Sequence, residues 1–242
     1  MSPNRTKAFF FDAAGTLFTV NGSVGGIYAC LAREHGKDVS VSDLEAGFRR
    51  CFADASPMAF PGAASEQILI CEKQWWRDIV HDVFAPLGPF PRFNDYFEVL
   101  FAYFARTEAW QLYPETFATL TALADRGFQL GVISNFDSRL FGLLDGFGLT
   151  RFFDPIVIST HAGAAKPEGA IFTRALARHG FRPEDTAHVG DSLHADIAGA
   201  QGVGMTPVLV DRKATTKKMS DYLCITSLAE LLQFVGEDAI SS

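Results

Sequence analysis

Phe9-Phe10-Phe11-Asp12-Ala13-Ala14-Gly15-Thr16-Leu17 is an aromatic run that ends in one carboxylate and passes at once into a Gly-Thr turn. An apolar run bounded by a turn reads as a buried strand. The turn projects Asp12 from the carboxyl edge of a sheet, where open α/β folds place their chemistry. Two residues on, Ala14 offers only a methyl group.

Downstream of residue 112 the chain alternates strands and helices with short punctuation. Pro114 is placed to open a helix at its first turn, and Gly127 to close it after Arg126. Phe128-Gln129-Leu130-Gly131-Val132-Ile133 reads as a buried strand ending at Ser134-Asn135. A helix over 137–147 leads to a β-branched strand, Ile156-Val157-Ile158-Ser159. Pro167 starts a helix that runs to Gly180. Thr186-Ala187-His188-Val189 is a short strand ending at Gly190-Asp191; a small-residue helix and the strand Thr206–Val210 follow. Strands spaced by helices imply right-handed crossovers and a parallel sheet, so the fold class is α/β with a Rossmann-like core.

Residues 20 to about 110 carry a different pattern. Ile68, Cys71, Trp75, Ile79 and Val83 recur at helical steps, as do Phe93, Phe97, Phe101 and Phe104. Ser42-Asp43-Leu44-Glu45 has capping-box spacing for a helix start, and Pro86–Pro91 separates two helices. No strand is expected here. The predicted organisation is a core of residues 1–19 and 112–242 with a helical cap over 20–111. The aromatic stripes read as packing faces; Trp75-Trp76 cannot both point inward, which leaves one to line a pocket.

The 242 residues are 48% hydrophobic with 23 Phe, enough for a large core. The formal charge of −7 and the lack of a basic cluster beyond Lys217-Lys218 argue against nucleic acid or an anionic membrane surface. Four separated cysteines (30, 51, 71 and 224) suit reduced thiols. With no signal peptide or 18-residue apolar segment, the expectation is a cytoplasmic protein. Either a monomer or a dimer is compatible.

Four strand ends deliver polar residues: Asp12, Ser134-Asn135, Lys166 and Asp191. In a parallel sheet these edges converge on one crevice. Taken singly, Lys166 before Pro167 reads as a loop lysine, Ser134-Asn135 as a helix cap, and Asp191 as a turn acid. His161, His188 and His194 read as surface or packing residues, of which only His194 lies where it could reach the site. The order of Asp12-x-x-Gly15-Thr16, Ser134-Asn135, Lys166-Pro167 and Gly190-Asp191-Ser192-x-x-x-Asp196 resembles the haloacid dehalogenase superfamily of hydrolases, mainly phosphatases, over nearly the whole chain. The helical block resembles the cap of the subfamily that inserts it after the first loop. The resemblance implies that Asp12 attacks phosphorus, Ser134 hydrogen-bonds the phosphoryl oxygens and Lys166 neutralises charge. Asn135 and Thr16 would assist substrate binding. Asp12, the Ala14 carbonyl and Asp191 would hold Mg²⁺, with Asp196 and Ser192 behind them. A small phosphorylated molecule is the implied substrate.

Where the usual phosphatases of this family carry an acid that protonates the leaving group, this chain carries Ala14. General acid–base catalysis is worth about 10²–10⁴-fold, so turnover is expected to be weak or limited to good leaving groups unless a neighbour such as His194 substitutes. Phosphonoacetaldehyde hydrolases share Asp-x-Ala-Gly-Thr but need a cap lysine, and Lys37 and Lys73 are the candidates here. True haloacid dehalogenases lack the Gly-Asp pair kept at 190–191. A third alternative is a phosphate- or partner-binding protein without turnover.

Overall fold

A computed structural model of the protein describes residues 6–215 and 221–235. Strand β1 (Ala8–Phe11) lies inside a six-stranded sheet, and none of its four residues is more than 2% exposed. Phe9 and Phe11 enter the core on one face of the sheet, Ala8 and Phe10 the core on the other. A central parallel strand is covered on both faces, which is why its sequence is apolar without alternation.

On one side β1 pairs with β4 (Gln129–Ser134), and beyond it lies β5 (Ile156–Ile158). On the other side come β6 (Thr186–Gly190), β7 (Thr206–Val210) and β8 (Leu223–Ile225). Every adjacent pair is parallel, in the order β5-β4-β1-β6-β7-β8. The chain builds outward from β1 on one flank and then returns to fill the other. That reversal opens a crevice at the carboxyl ends of β1, β4 and β6. Helices α5 (Thr116–Asp125), α6 (Arg139–Gly146), α7 (Ser159–Ala162), α8 (Gly169–Ala177), α9 (Gly199–Val203) and α10 (Leu231–Phe234) make the crossovers and the end of the described chain. The expected small-residue helix after Asp191 is a π-helical stretch, Leu193–Ala198, that leads into α9. Helices expected to start at Pro114 and Pro167 start two residues later, at Thr116 and Gly169.

Residues between β1 and β4 form α1 (Val24–Glu34), α2 (Val41–Asp54), α3 (Ser65–Phe84) and α4 (Phe93–Tyr103). They share a core that includes Tyr28, Leu44, Val83, Phe84, Tyr96 and Phe97. The cap of α2 is Ser40, whose hydroxyl accepts from the Asp43 amide, not Ser42 as the spacing suggested. Two strands went unexpected at the ends of this block. β2 (Phe18–Val20) and β3 (Trp110–Leu112) pair antiparallel, Phe18 opposite Leu112, across about 90 residues of chain. Three-residue strands are too short to show a period of two. No helix among the described residues is long and apolar enough to cross a membrane.

Candidate active site

Asp12 stands just beyond β1, 8% exposed, its amide bonded to the Val189 carbonyl at 2.9 Å. The turn that follows is wound on the Ala13 carbonyl, which accepts from the amides of Thr16, Leu17 and Phe18. Gly15 has φ of +91°, and a Cβ there would lie 2.3 Å from Asp191 Oδ2. Backbone conformation and close approach therefore both require glycine. Arg212 braces this turn from beyond β7. Its guanidinium donates to the Thr16 carbonyl at 2.6 Å and the Gly15 carbonyl at 3.3 Å, pairs with Glu115 at 2.7 Å and lies over the Tyr113 ring.

The Lys166 ammonium is buried against Asp12. It donates to Asp12 Oδ1 at 2.7 Å, Asp196 Oδ1 at 2.6 Å and the Ile133 carbonyl at 2.8 Å, so all three of its protons are used. Burial alone would push the ammonium's pKa down. The carboxylates of Asp12 and Asp196 outweigh it and hold Lys166 above its ordinary value. Asn135 fixes the lysine's main chain through two exchanged bonds: Lys166 N to Asn135 Oδ1 at 2.7 Å, and Asn135 Nδ2 to the Lys166 carbonyl at 2.9 Å. Ser134 is buried at the end of β4, and the buried Thr16 hydroxyl has no hydrogen-bond partner among the described residues.

Asp196 accepts three hydrogen bonds. Oδ1 accepts from Lys166 and from His188 Nε2 at 2.8 Å, and Oδ2 from the Ser192 amide at 3.0 Å. Its burial raises its pKa, but Lys166 and His188 prevail and hold it below the usual carboxylate range. Gly190 makes room for it, since a Cβ there would sit 2.1 Å from the carboxyl carbon. His188 packs edge-on against Phe172, as a packing residue should, and burial lowers its pKa. A carboxylate oxygen only accepts, so His188 donates to Asp196 from Nε2.

Asp191 differs. It is exposed at the crevice mouth, and lost hydration followed by repulsion from Asp12 and Asp196 pushes it up to about 7. Its carboxylate oxygen, one from Asp12 and one from Asp196 all lie within 4.8 Å of one another. Three carboxylates face one ammonium, an excess of negative charge that a divalent cation would offset. Asp196 is the most committed of the three, with two hydrogen bonds on Oδ1 and one on Oδ2. Asp12 and Asp191 remain, with the Ala14 carbonyl, which accepts no hydrogen bond from the described residues. Hard oxygen donors, few in number, suit Mg²⁺, which keeps several of its waters.

Over this loop lies a cavity of about 230 Å³ between the helical block and the sheet. The Ala14 methyl forms part of its wall, with Val24, Trp76, Phe101, Phe104 and Trp110. Its cation, Arg139, is already bonded to both oxygens of Asp137 at 2.9 and 2.6 Å and lies 4.1 Å from the Phe101 ring centre. Three contacts close the block over the cavity. Glu72 Oε1 accepts from the Ser138 amide, the Ser138 hydroxyl and the Thr160 hydroxyl. Trp76 donates to Asp137 at 2.6 Å, and Ser159 to the Met58 carbonyl at 2.6 Å.

Folding thus gathers Asp12, Lys166, Asp191 and Asp196 into one cluster, with Asn135 and Ser192 attached through main-chain bonds and Ser134 and Thr16 buried at the ends of the same loops. His194 is exposed and makes no hydrogen bond among the described residues, so it offers no visible substitute for the missing acid. Lys73 pairs with Glu98, and Lys37 holds the carbonyls of Leu87, Gly88 and Pro89; neither lines the cavity. His188, Arg212, Glu72 and Arg139 were not expected in the site's support. Glu72, His188 and Arg212 find these partners 8 to 197 positions away, and Arg139, bonded locally to Asp137, also reaches the Phe101 carbonyl 38 positions back; no local pattern signals them.

The model for haloacid dehalogenase-like hydrolases matches residues 6–204. The human haloacid dehalogenase-like hydrolase domain-containing protein 3 is 37% identical over 202 residues, 83% of this chain and 80% of its own length. A glyceraldehyde 3-phosphate phosphatase of Methanothermobacter thermautotrophicus is 39% identical over 104 residues, covering 43% of this chain and 46% of its own. The solved structure of a HAD phosphatase from Thermococcus onnurineus superposes with a TM-score of 0.68 at 27% identity, covering 97% of this chain and all of that one.

Proposed function

The chain belongs to the haloacid dehalogenase-like hydrolases, and on that footing we propose that it is a Mg²⁺-dependent phosphatase with Asp12 as nucleophile, confined to phosphates with good leaving groups. One observation carries the reading. Lys166, all its protons committed, holds Asp12 at the crevice through Oδ1 and leaves the other carboxylate oxygen without a hydrogen bond among the described residues. Relatives named as phosphatases support the phosphate ester as substrate.

An anionic nucleophile reaches a phosphate dianion only if their repulsion is offset. Lys166 supplies one fixed positive charge. Mg²⁺ bound by Asp12, Asp191 and the Ala14 carbonyl would supply the rest. Asp12 then attacks phosphorus, the P–O bond to the leaving group breaks, and the electron pair departs on that oxygen. No acid at position 14 protonates it, so the oxygen must be stable as an anion or take its proton from water. Water next attacks the aspartyl-phosphate at phosphorus, the bond to Asp12 breaks, and carboxylate and inorganic phosphate are restored. Ser134 and Thr16 hydroxyls and the Asn135-anchored loop border the phosphoryl position.

The test is hydrolysis of an aryl phosphate and of acetyl phosphate with Mg²⁺ and with a chelator, by wild type and by Asp12→Asn. Turnover that needs the metal and vanishes in Asp12→Asn supports the reading. Turnover that survives either change sinks it, and phosphate binding without any turnover favours a binding protein.

A further inference from the structure

We propose that the cavity beside Asp12 receives the aromatic ring of an aryl phosphate, so that the missing acid and the apolar pocket are two parts of one specificity. The inference rests on the phosphatase reading for chemistry but not for binding. A phosphate ester whose phosphorus faces Asp12 must direct its leaving group past the side chain two residues on. That side chain, the Ala14 methyl, opens into the cavity. A carboxylic acid at this point would serve an alkoxide, a poor leaving group; here the wall is hydrocarbon and offers no proton. Phenolic oxygens, with pKa near 10, depart as anions far more readily than alkoxides, so an aryl ester tolerates what an alkyl ester does not.

The rest of the lining agrees. Trp76, Phe101, Phe104 and Trp110 present rings, and Val24 adds an aliphatic face. Of the polar groups around it, the Trp76 indole N–H is bonded to Asp137, the Trp110 N–H to the Phe104 carbonyl and Arg139 to Asp137. The Asn135 amide is engaged with Lys166. Beyond those bonds the lining offers only the Tyr28 hydroxyl and the two remaining Arg139 N–H groups, too few for the several hydroxyls of a sugar. A sugar or polyol there would lose more hydration than those few donors replace, which is costly. Size also fits: an apolar cavity of about 150 Å³ takes benzene, and this one measures about 230 Å³, room for a substituted or fused ring.

The Mg²⁺-loaded protein is titrated with methylphosphonate, phenylphosphonate and 1-naphthylphosphonate, read by the fluorescence of Trp76 and Trp110. The same protein is then assayed on acetyl, phenyl and 1-naphthyl phosphate. Burying one ring is expected to tighten binding about 10- to 100-fold from methyl to phenyl, with a further gain for naphthyl, and kcat/KM to rise from phenyl to naphthyl. Val24→Phe, which fills the cavity from the helical block, should reduce the naphthyl preference over acetyl phosphate about tenfold. Equal binding of the three phosphonates overturns the proposal whatever the turnover. A graded series with no hydrolysis of any phosphate leaves the aryl site standing and removes the hydrolase reading instead.

Discussion

Replacing Lys166 with Met keeps most of the side chain's volume and removes its charge. In the native protein the ammonium is the shared partner of Asp12 and Asp196, 2.7 and 2.6 Å away, with both carboxylates and the lysine buried. Losing one member of a buried ion network costs about 3–5 kcal/mol, because the remaining charges are left uncompensated. Asp196 keeps His188 and the Ser192 amide, so the orphan is chiefly Asp12, at the crevice edge. That places the expected loss near the lower end, about 3 kcal/mol, or roughly 6–12 °C in Tm for a chain of this size. The assay is urea and thermal unfolding in chelator at pH 7.5 and pH 5.

The pH dependence carries the discrimination. In wild type Asp196 is held below the usual range, so its stabilisation is in place above the unfolded carboxylate value and is lost only as pH falls through the lower folded one. Wild type should therefore lose little of this stability between pH 7.5 and 5. In Lys166→Met the unpaired carboxylates can take up protons as pH falls, so the gap to wild type should narrow at pH 5. Mg²⁺ should likewise recover part of the loss at pH 7.5. A loss under about 1 kcal/mol, or one equal at both pH values, would refute charge compensation as the role of Lys166.

Ala14→Asp should raise alkyl-phosphate kcat by about 10²–10⁴-fold in a steady-state assay; no rise would show that the missing acid does not limit turnover. Asp191, pushed from 3.8 up to about 7, binds a proton that the unfolded chain releases above pH 4, so metal-free stability from this group declines as pH rises from 4 to 7. The Tm gain on adding Mg²⁺ should accordingly be larger at pH 8 than at pH 6, and Asp191→Asn should flatten that difference. Gly15→Ala forces a Cβ against Asp191 and a left-handed backbone on alanine, so it should weaken Mg²⁺ binding by calorimetry at least tenfold and lower stability by about 1–3 kcal/mol. Glu72→Leu leaves the Ser138 amide and the Thr160 hydroxyl without their acceptor, at about 2–4 kcal/mol in urea unfolding, and should speed hydrogen exchange of the Ser138 amide.

Much of the core was legible. Phe128–Ile133, Ile156–Ser159, Thr186–Val189 and Thr206–Val210 all lie on strands or within a residue of one, because buried parallel strands are short apolar runs with sharp ends. β2, β3 and β8 are too short to carry a period and lack the β-branched Ile-Val-Ile run that marks the equally short β5, and their pairing is a long-range fact. Ser42 misplaced a helix start because spacing does not say which of two nearby serines turns its hydroxyl back to the amides. His188 could be seen as buried, being on a strand, but its bond to Asp196 could not.

Sequence alone determined where Asp12, Ser134 and Asp191 sit, since a residue at the end of a parallel strand must lie on the carboxyl edge with its counterparts; Lys166, beyond β5 and α7, is brought to that edge by the fold. It also determined that position 14 has no proton to give. Tertiary structure decided what those facts mean together. It spent all three lysine protons on Asp12, Asp196 and Ile133, left Asp191 without an ion-pair partner among the described residues, and made Ala14 part of the wall of an aromatic cavity. The physical reason is range. Strand periodicity and turn chemistry act over a few residues, whereas the charges and rings that define the site are 4 to 197 positions apart and meet only when the sheet and the helical block close on each other.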